Sequence, residues 1–199
     1  MPAEVDCLND ALSQLGAATI TDIADGSTNA NHCLRLYPAL RDGLLRSAHW
    51  NFAMTRVELA QDVTPPLFEF SYAYTLPADC LKLVEYNGAN TLSSISLPYQ
   101  LPVPARYKVE GRKIYTNDGN VKIRYLRRVE NPDEWDGLFY QVVATWLASK
   151  LSMAITKDAK MSAALMSSAV NVLLPLALAV DGQEDSVEPF FVDNLIVGR

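Results

Sequence analysis

The residues whose types could do chemistry are few: three cysteines, two histidines and a run of acids between positions 133 and 136. His32 adjoins Cys33, but successive residues on a helix point about 100° apart, so adjacency does not make a nucleophile–base pair. His49 stands beside Trp50 and Phe52. Asp133, Glu134 and Asp136 have the chemistry of an acid–base pair, yet helix capping explains acids at a helix start with less. Cys7, Cys33 and Cys80 form no CxxC and have no metal-ligand spacing with a histidine, so the sequence predicts no disulfide framework and no metal site. It holds no P-loop, GxGxxG, GxSxG or HExxH. The expectation is therefore no catalytic residue, no cofactor and no metal.

Charge is more informative than these groups. The chain of 199 residues carries a formal net charge of −6, which argues against a general nucleic-acid binder. That charge is segregated. Residues 1–25 contain five acids and no base, and residues 181–199 contain five acids and one base. Residues 101–128 hold eight bases (Arg106, Lys108, Arg112, Lys113, Lys122, Arg124, Arg127 and Arg128) against two acids. Two readings stay open: a solvated sheet face, or a surface that meets an acidic partner or phosphates.

The elements that must position these residues fall into three parts. Val5, Leu8, Leu12 and Leu15 have helical spacing and stop before Gly16. A second helix opens at Ser27 or Thr28 and runs to about Trp50, with Pro38 implying a kink or a late start. From Pro65 to Val129 the period changes to that of strands. Phe68, Phe70, Tyr72 and Tyr74 read as one strand with an aromatic face, Leu81–Tyr86 as another, and residues 90–104 as a loop. Tyr107–Val109, Lys113–Tyr115 and Val121–Leu126 read as a three-strand meander between turns rich in glycine and asparagine. Helix returns at Asn131-Pro132. Leu138, Phe139, Val142, Val143, Trp146, Leu147 and Leu151 repeat at i, i+3 and i+4, with a break at Thr156–Asp158.

Residues 161–180 carry no charge over about the length of a membrane span. Three serines, Asn171, Pro175 and the absence of a basic cluster on either flank favour a helix buried on most sides, neighbouring subunits being one source of cover. The last residues, from Gln183, are acidic but spaced with Phe190, Phe191, Leu195 and Ile196, as in an arm that docks. The N-terminus lacks a signal-peptide pattern, so a reducing intracellular setting is expected. The predicted fold is α+β: a helical bundle from residues 1–51 and 130–182, an antiparallel β domain over 52–129, and an extended arm over 183–199.

Several strings, taken in order, resemble one known family. Arg41-Asp42, Leu44-Leu45 and His49-Trp50-Asn51-Phe52-Ala53 are followed by Tyr72, Tyr74, Leu76-Pro77 and Asp79-Cys80-Leu81. Tyr107-Lys-Val-Glu-Gly, Ile114-Tyr-Thr-Asn117, Ile123-Arg-Tyr125, Asn131-Pro132 and Trp146–Leu151 continue the series. Together they resemble the tail tubular protein A family, the head-to-tail adaptors of short-tailed bacteriophages. The resemblance implies a non-enzymatic virion protein of the tail, assembled in the host cytoplasm. Its partners would be itself in a cyclic ring of about twelve copies, the portal protein and the tail nozzle protein. Genomic DNA would pass through the channel without sequence-specific binding, and no membrane is involved. The family's C-terminal arm embraces a neighbour or the portal, a role that falls here on Phe190, Phe191, Leu195 and Ile196. Two competing readings are a cell-wall hydrolase using Glu134 with Asp136 or Asp158, and a DNA-binding tail protein using Arg124, Arg127 and Arg128.

Overall fold

A computed structural model describes residues 3–90 and 106–184. Helices from both ends of the chain pack around one central helix, and two small antiparallel sheets lie between them in sequence. The fold is α+β.

Helix α1 (Glu4–Ser13) buries Cys7, Leu8, Ala11 and Leu12. Helix α2 (Thr28–Ser47) is capped by Ser27, whose hydroxyl accepts from the Ala30 N–H at 3.1 Å. It continues through Pro38 rather than breaking there. It also stops short of Trp50, for a local reason. The Leu44 carbonyl, freed at the helix end, accepts from the Trp50 indole N–H at 3.0 Å and from the Ser47 hydroxyl at 2.7 Å, so the indole turns inward and ends the helix.

Strands β1 (Met54–Leu59), β2 (Tyr72–Thr75), β3 (Cys80–Tyr86), β4 (Ala89–Asn90), β5 (Tyr107–Glu110), β6 (Lys113–Thr116) and β7 (Val121–Arg127) make two sheets, ordered β1-β7-β3-β4 and β2-β6-β5. Two expectations are corrected here. The aromatic strand begins only at Tyr72, because Glu69 has φ 70° and Phe68 is 78% exposed. A turn, with the Phe70 N–H on the Phe68 carbonyl at 2.8 Å, breaks the alternation. The meander is split as well. β5 and β6 pair with each other, whereas β7 lies in the other sheet between β1 and β3. The 117–120 turn crosses between the sheets and is held at Asp118, whose carbonyl and carboxylate accept from Tyr74, Tyr86 and Arg106.

Asn131-Pro132 opens a single 3-10 turn (Pro132–Glu134) rather than the helix itself. The buried Trp135 indole donates to the Val129 carbonyl at 3.0 Å. Helix α3 (Gly137–Ile155) then starts on Asp136, which accepts from Leu138 N–H and Phe139 N–H at 2.7 and 3.3 Å. Phe139, Val142, Val143, Leu147 and Leu151 form its buried rows, with α1, α2 and the last helix around them. The break at 156–158 ends on Asp158, which caps helix α4 (Ala159–Glu184) through Lys160 N–H and Met161 N–H. Within α4, Ala169–Leu173 is a π segment in which Leu174 N–H reaches back to the Ala169 carbonyl. Widening the helix there relieves the clash of the Pro175 ring with the preceding turn and leaves the helix unbroken.

One core joins the helices to the inner face of the first sheet through Val84 and Leu126. A second lies among the strands, with Tyr74, Leu76, Tyr86, Ile114, Val121, Ile123 and Tyr125. α4 runs to Glu184, two residues into the expected arm. Phe190, Phe191, Leu195 and Ile196, and the expected loop except Asn90, lie outside the described residues.

Candidate interaction surfaces

The residues of the recognisable strings occupy joints of the fold. Arg41 is 5% exposed and bonds Asp42 at 2.9 Å, with its guanidinium 5.6 Å from the Tyr37 ring centre. Asp42 also accepts from Arg128 at 2.7 Å, which ties α2 to the end of β7. Trp50 is fully buried and meets Phe139 edge-on at 4.9 Å, and Phe52 lies 5.1 Å from the same ring. Between them, Asn51 N–H donates to the Asp181 carboxylate at 3.0 Å and its amide donates to the Asp181 carbonyl at 2.7 Å. Residues 130 apart in the chain are thereby locked.

The sheet joints are built the same way. Tyr72 packs on the strand core and Tyr74 is buried within it. Leu76 N–H donates to the Arg112 carbonyl at 2.9 Å. The Arg112 guanidinium donates in turn to the carbonyls of Pro77, Ala78 and Cys80. That return bond steadies an arginine whose φ of 64° is costly for an L residue. Asp79 accepts from the Tyr125 hydroxyl at 3.2 Å, and its carbonyl accepts from Arg128 N–H at 2.7 Å.

The eight bases of residues 101–128 do not gather into an open cationic field. Arg106 pairs with Asp118 at 3.0 Å, Lys108 with Glu69 at 2.7 Å, and Lys113 with Asp62 at 2.7 Å. Lys122 lies 3.8 Å from Glu58, Arg124 is 2.8 Å from Glu85, and Arg127 pairs with Glu134. Arg128 takes Asp42 and Arg112 the three carbonyls. Most of these acids come from segments distant in sequence, so a count over residues 101–128 misses them. The pairs leave their mark on ionisation. The Lys113 ammonium holds Asp62 below the usual carboxylate range, and the Tyr86 hydroxyl and then Arg106 do the same for Asp118.

The groups with catalytic potential are engaged in similar structural roles. Glu134 faces Arg127, while Asp136 and Asp158 cap α3 and α4. Burial pushes the Cys7 thiol up to about 12 and Cys33 up to about 11, and also raises Cys80. All three are thiols at neutral pH, not thiolate nucleophiles. Burial lowers His49, helped by Lys82 and Arg124. Among the described residues no three His, Cys, Asp or Glu side chains gather as a metal site.

The described residues also leave an apolar surface open. Among them two helices, α3 and α4, are long and apolar enough to cross a bilayer. α3 is the centre of the bundle. α4 differs from the expectation of a helix covered on most sides: within the single chain only Ala169, Ala177 and Asp181 of its 26 residues are buried. Val172 is 60% exposed, Leu176 49% and Leu178 40%. Beside it, a groove of about 550 Å³ is lined by Leu36, Leu40 and Gly43 of α2, Trp146 and Lys150 of α3, and Leu174. The uncharged run was the sequence signal for this surface; the groove had none, because α2, α3 and α4 build it jointly. No known family profile and no curated protein matches the chain.

Proposed function

We propose that this chain is a structural, non-catalytic subunit of a ring that joins a phage portal to its tail nozzle, surrounding the DNA exit channel without sequence-specific binding. The observation that carries the reading is where the resembling residues lie. The side chains of Arg41, Asp42, Trp50, Asn51, Phe52 and Asp79, and the backbone of Leu76 and Pro77, are spent on joints between the elements of the fold, as a load-transmitting subunit requires. The internal pairing of the basic strands supports the same reading over a DNA-binding tail protein, since counterion release needs cations free to meet phosphates. The capping and pairing roles of Glu134, Asp136 and Asp158 supply no observation that favours a hydrolase.

The test is negative-stain imaging of the purified chain mixed with its cognate portal. The expected result is a ring with a central hole, bound coaxially to the portal. Particles that stay single with portal present at every salt concentration overturn the proposal.

A further inference from the structure

We propose that the outward face of α4, with the α2–α3 groove beside it, is the contact surface for a second copy of this chain. The assignment deepens the ring-subunit reading, and rests on it for the expectation that copies meet.

The face is open, yet the helix that carries it is fixed. Near its start, the Ser162 hydroxyl donates to the Ser149 carbonyl of α3 at 2.8 Å, and Ser149 reaches Met166 Sδ at 3.7 Å. Near its end, the buried Asp181 is clamped by Asn51. A helix pinned to a folded core at both ends can be covered from one side, but it cannot be ringed by lipid as a membrane span is. Asn171 and Ser167, hydrogen-bonded to each other at 3.1 Å on the exposed side, are also costly against hydrocarbon. The intervening small residues Ala163, Ala164, Ser168 and Ala179 are exposed and allow another helix to approach closely.

Size and charge point to the occupant. The 26 residues of α4 extend about 39 Å, so a face about 10 Å wide projects about 400 Å². The groove alongside adds apolar lining to this face, which alone supplies about half of the ~800 Å² that each partner buries in a stable complex. Three exposed cations stand by the start of the face and the rim of the groove: Lys150, Lys157 and Lys160. Among the described residues these lysines form no ion pair, and neither do Asp6, Asp10, Asp22 and Asp25 on and after α1. A second copy brings both an apolar cover and that acidic end.

The experiment is sedimentation velocity of the full-length chain over a concentration series at low and high salt, with Leu176→Glu, Ala39→Glu and Lys160→Glu. Ala39 is exposed in the groove, and Lys160→Glu places an acid in the first turn of α4, where it favours the helix. The wild type is expected to associate, more weakly in high salt. Leu176→Glu and Ala39→Glu should weaken association at least about tenfold, and Lys160→Glu less, all with wild-type melting. A wild type that stays at 22.0 kDa throughout, or charge variants that associate as it does, overturns the assignment; the second outcome leaves the ring reading standing. A closed pair that the variants dissolve supports this surface, while the absence of rings in the images removes the ring reading alone. Co-flotation of the wild type but not Leu176→Glu with phosphatidylcholine vesicles also overturns it, giving the face to lipid.

Discussion

β7 and α4 stand at opposite extremes of charge, and the fold treats them in opposite ways. β7 carries Lys122, Arg124 and Arg127, and each meets a carboxylate from another element: Glu58, Glu85 and Glu134. α4 is uncharged from Met161 to Val180, and most of its length faces outward. The segment that advertises an electrostatic surface is closed by the chain itself, and the segment that looks like core is left open. Charge in a local window therefore says little about surface potential, because carboxylates can come from anywhere in the fold. Apolarity without internal cover is the stronger pointer to a partner.

The largest effects that probe this contrast belong to the core shared by both regions. Trp50→Ala should lose about 3–5 kcal/mol in denaturant unfolding, since the indole is fully buried against Phe139. Leu147→Ala on the covered side of the bundle should lose about 2–5 kcal/mol. The matching Leu176→Ala on the open face should change the stability of the single chain by no more than about 0.5 kcal/mol. Equal losses at Leu147 and Leu176 would mean that the face is covered within one copy.

Intermediate effects belong to the joints. Asp181→Ala removes the acceptor for Asn51 N–H and should lose about 1–3 kcal/mol, the range for stranding a partly buried polar group. Arg124→Gln breaks the pair with Glu85, whose two side chains are about three-quarters covered. It should lose about 0.2–1 kcal/mol, less at high salt. Reversing Arg124, Arg127 and Arg128 together should leave DNA retention at background, in a filter assay run at low salt. Strong retention by the wild type, abolished by the reversal, would reopen the basic strands as a DNA surface.

The smallest effect is one of pH. Burial keeps His49 neutral in the folded chain and so places it below its value of 6.5 in the unfolded chain. Unfolded chains then bind more protons between the two values. The contribution from His49 is fully present above about pH 6.5 and is lost as pH falls from there through the folded value. His49→Gln should flatten the decline of stability across that window, as read by melting temperature against pH. Asp62 and Asp118, held low by Lys113 and by Tyr86 with Arg106, act in the same direction further down. Their share is present above about pH 3.8 and fades below it.

Much of the fold was legible because its signals are local. Ser27 opens α2, the break at 156–158 falls where α3 gives way to α4, and Phe139, Val142, Val143, Leu147 and Leu151 of the α3 repeat are buried. The failures are cases where a local pattern was outvoted by distant contacts. Phe68 and Phe70 alternate like a strand, yet Glu69 turns back to meet Lys108 across the sheet. β6 and β7 look like neighbours in a meander, but Asp118 holds the crossing between two sheets. The joints Asp42–Arg128 and Asn51–Asp181 link residues 86 and 130 apart, and no spacing rule reaches that far. The uncharged run of α4 was legible; which of its sides stays open depends on where α3 lies.

Sedimentation velocity of Leu176→Glu beside Arg124→Glu sets the open face directly against the internally closed one. Leu176→Glu is expected to fall to the single-chain mass of 22.0 kDa at concentrations where Arg124→Glu still assembles like the wild type. Assembly that survives Leu176→Glu but is abolished by Arg124→Glu would contradict this, returning the contact surface to the basic strands.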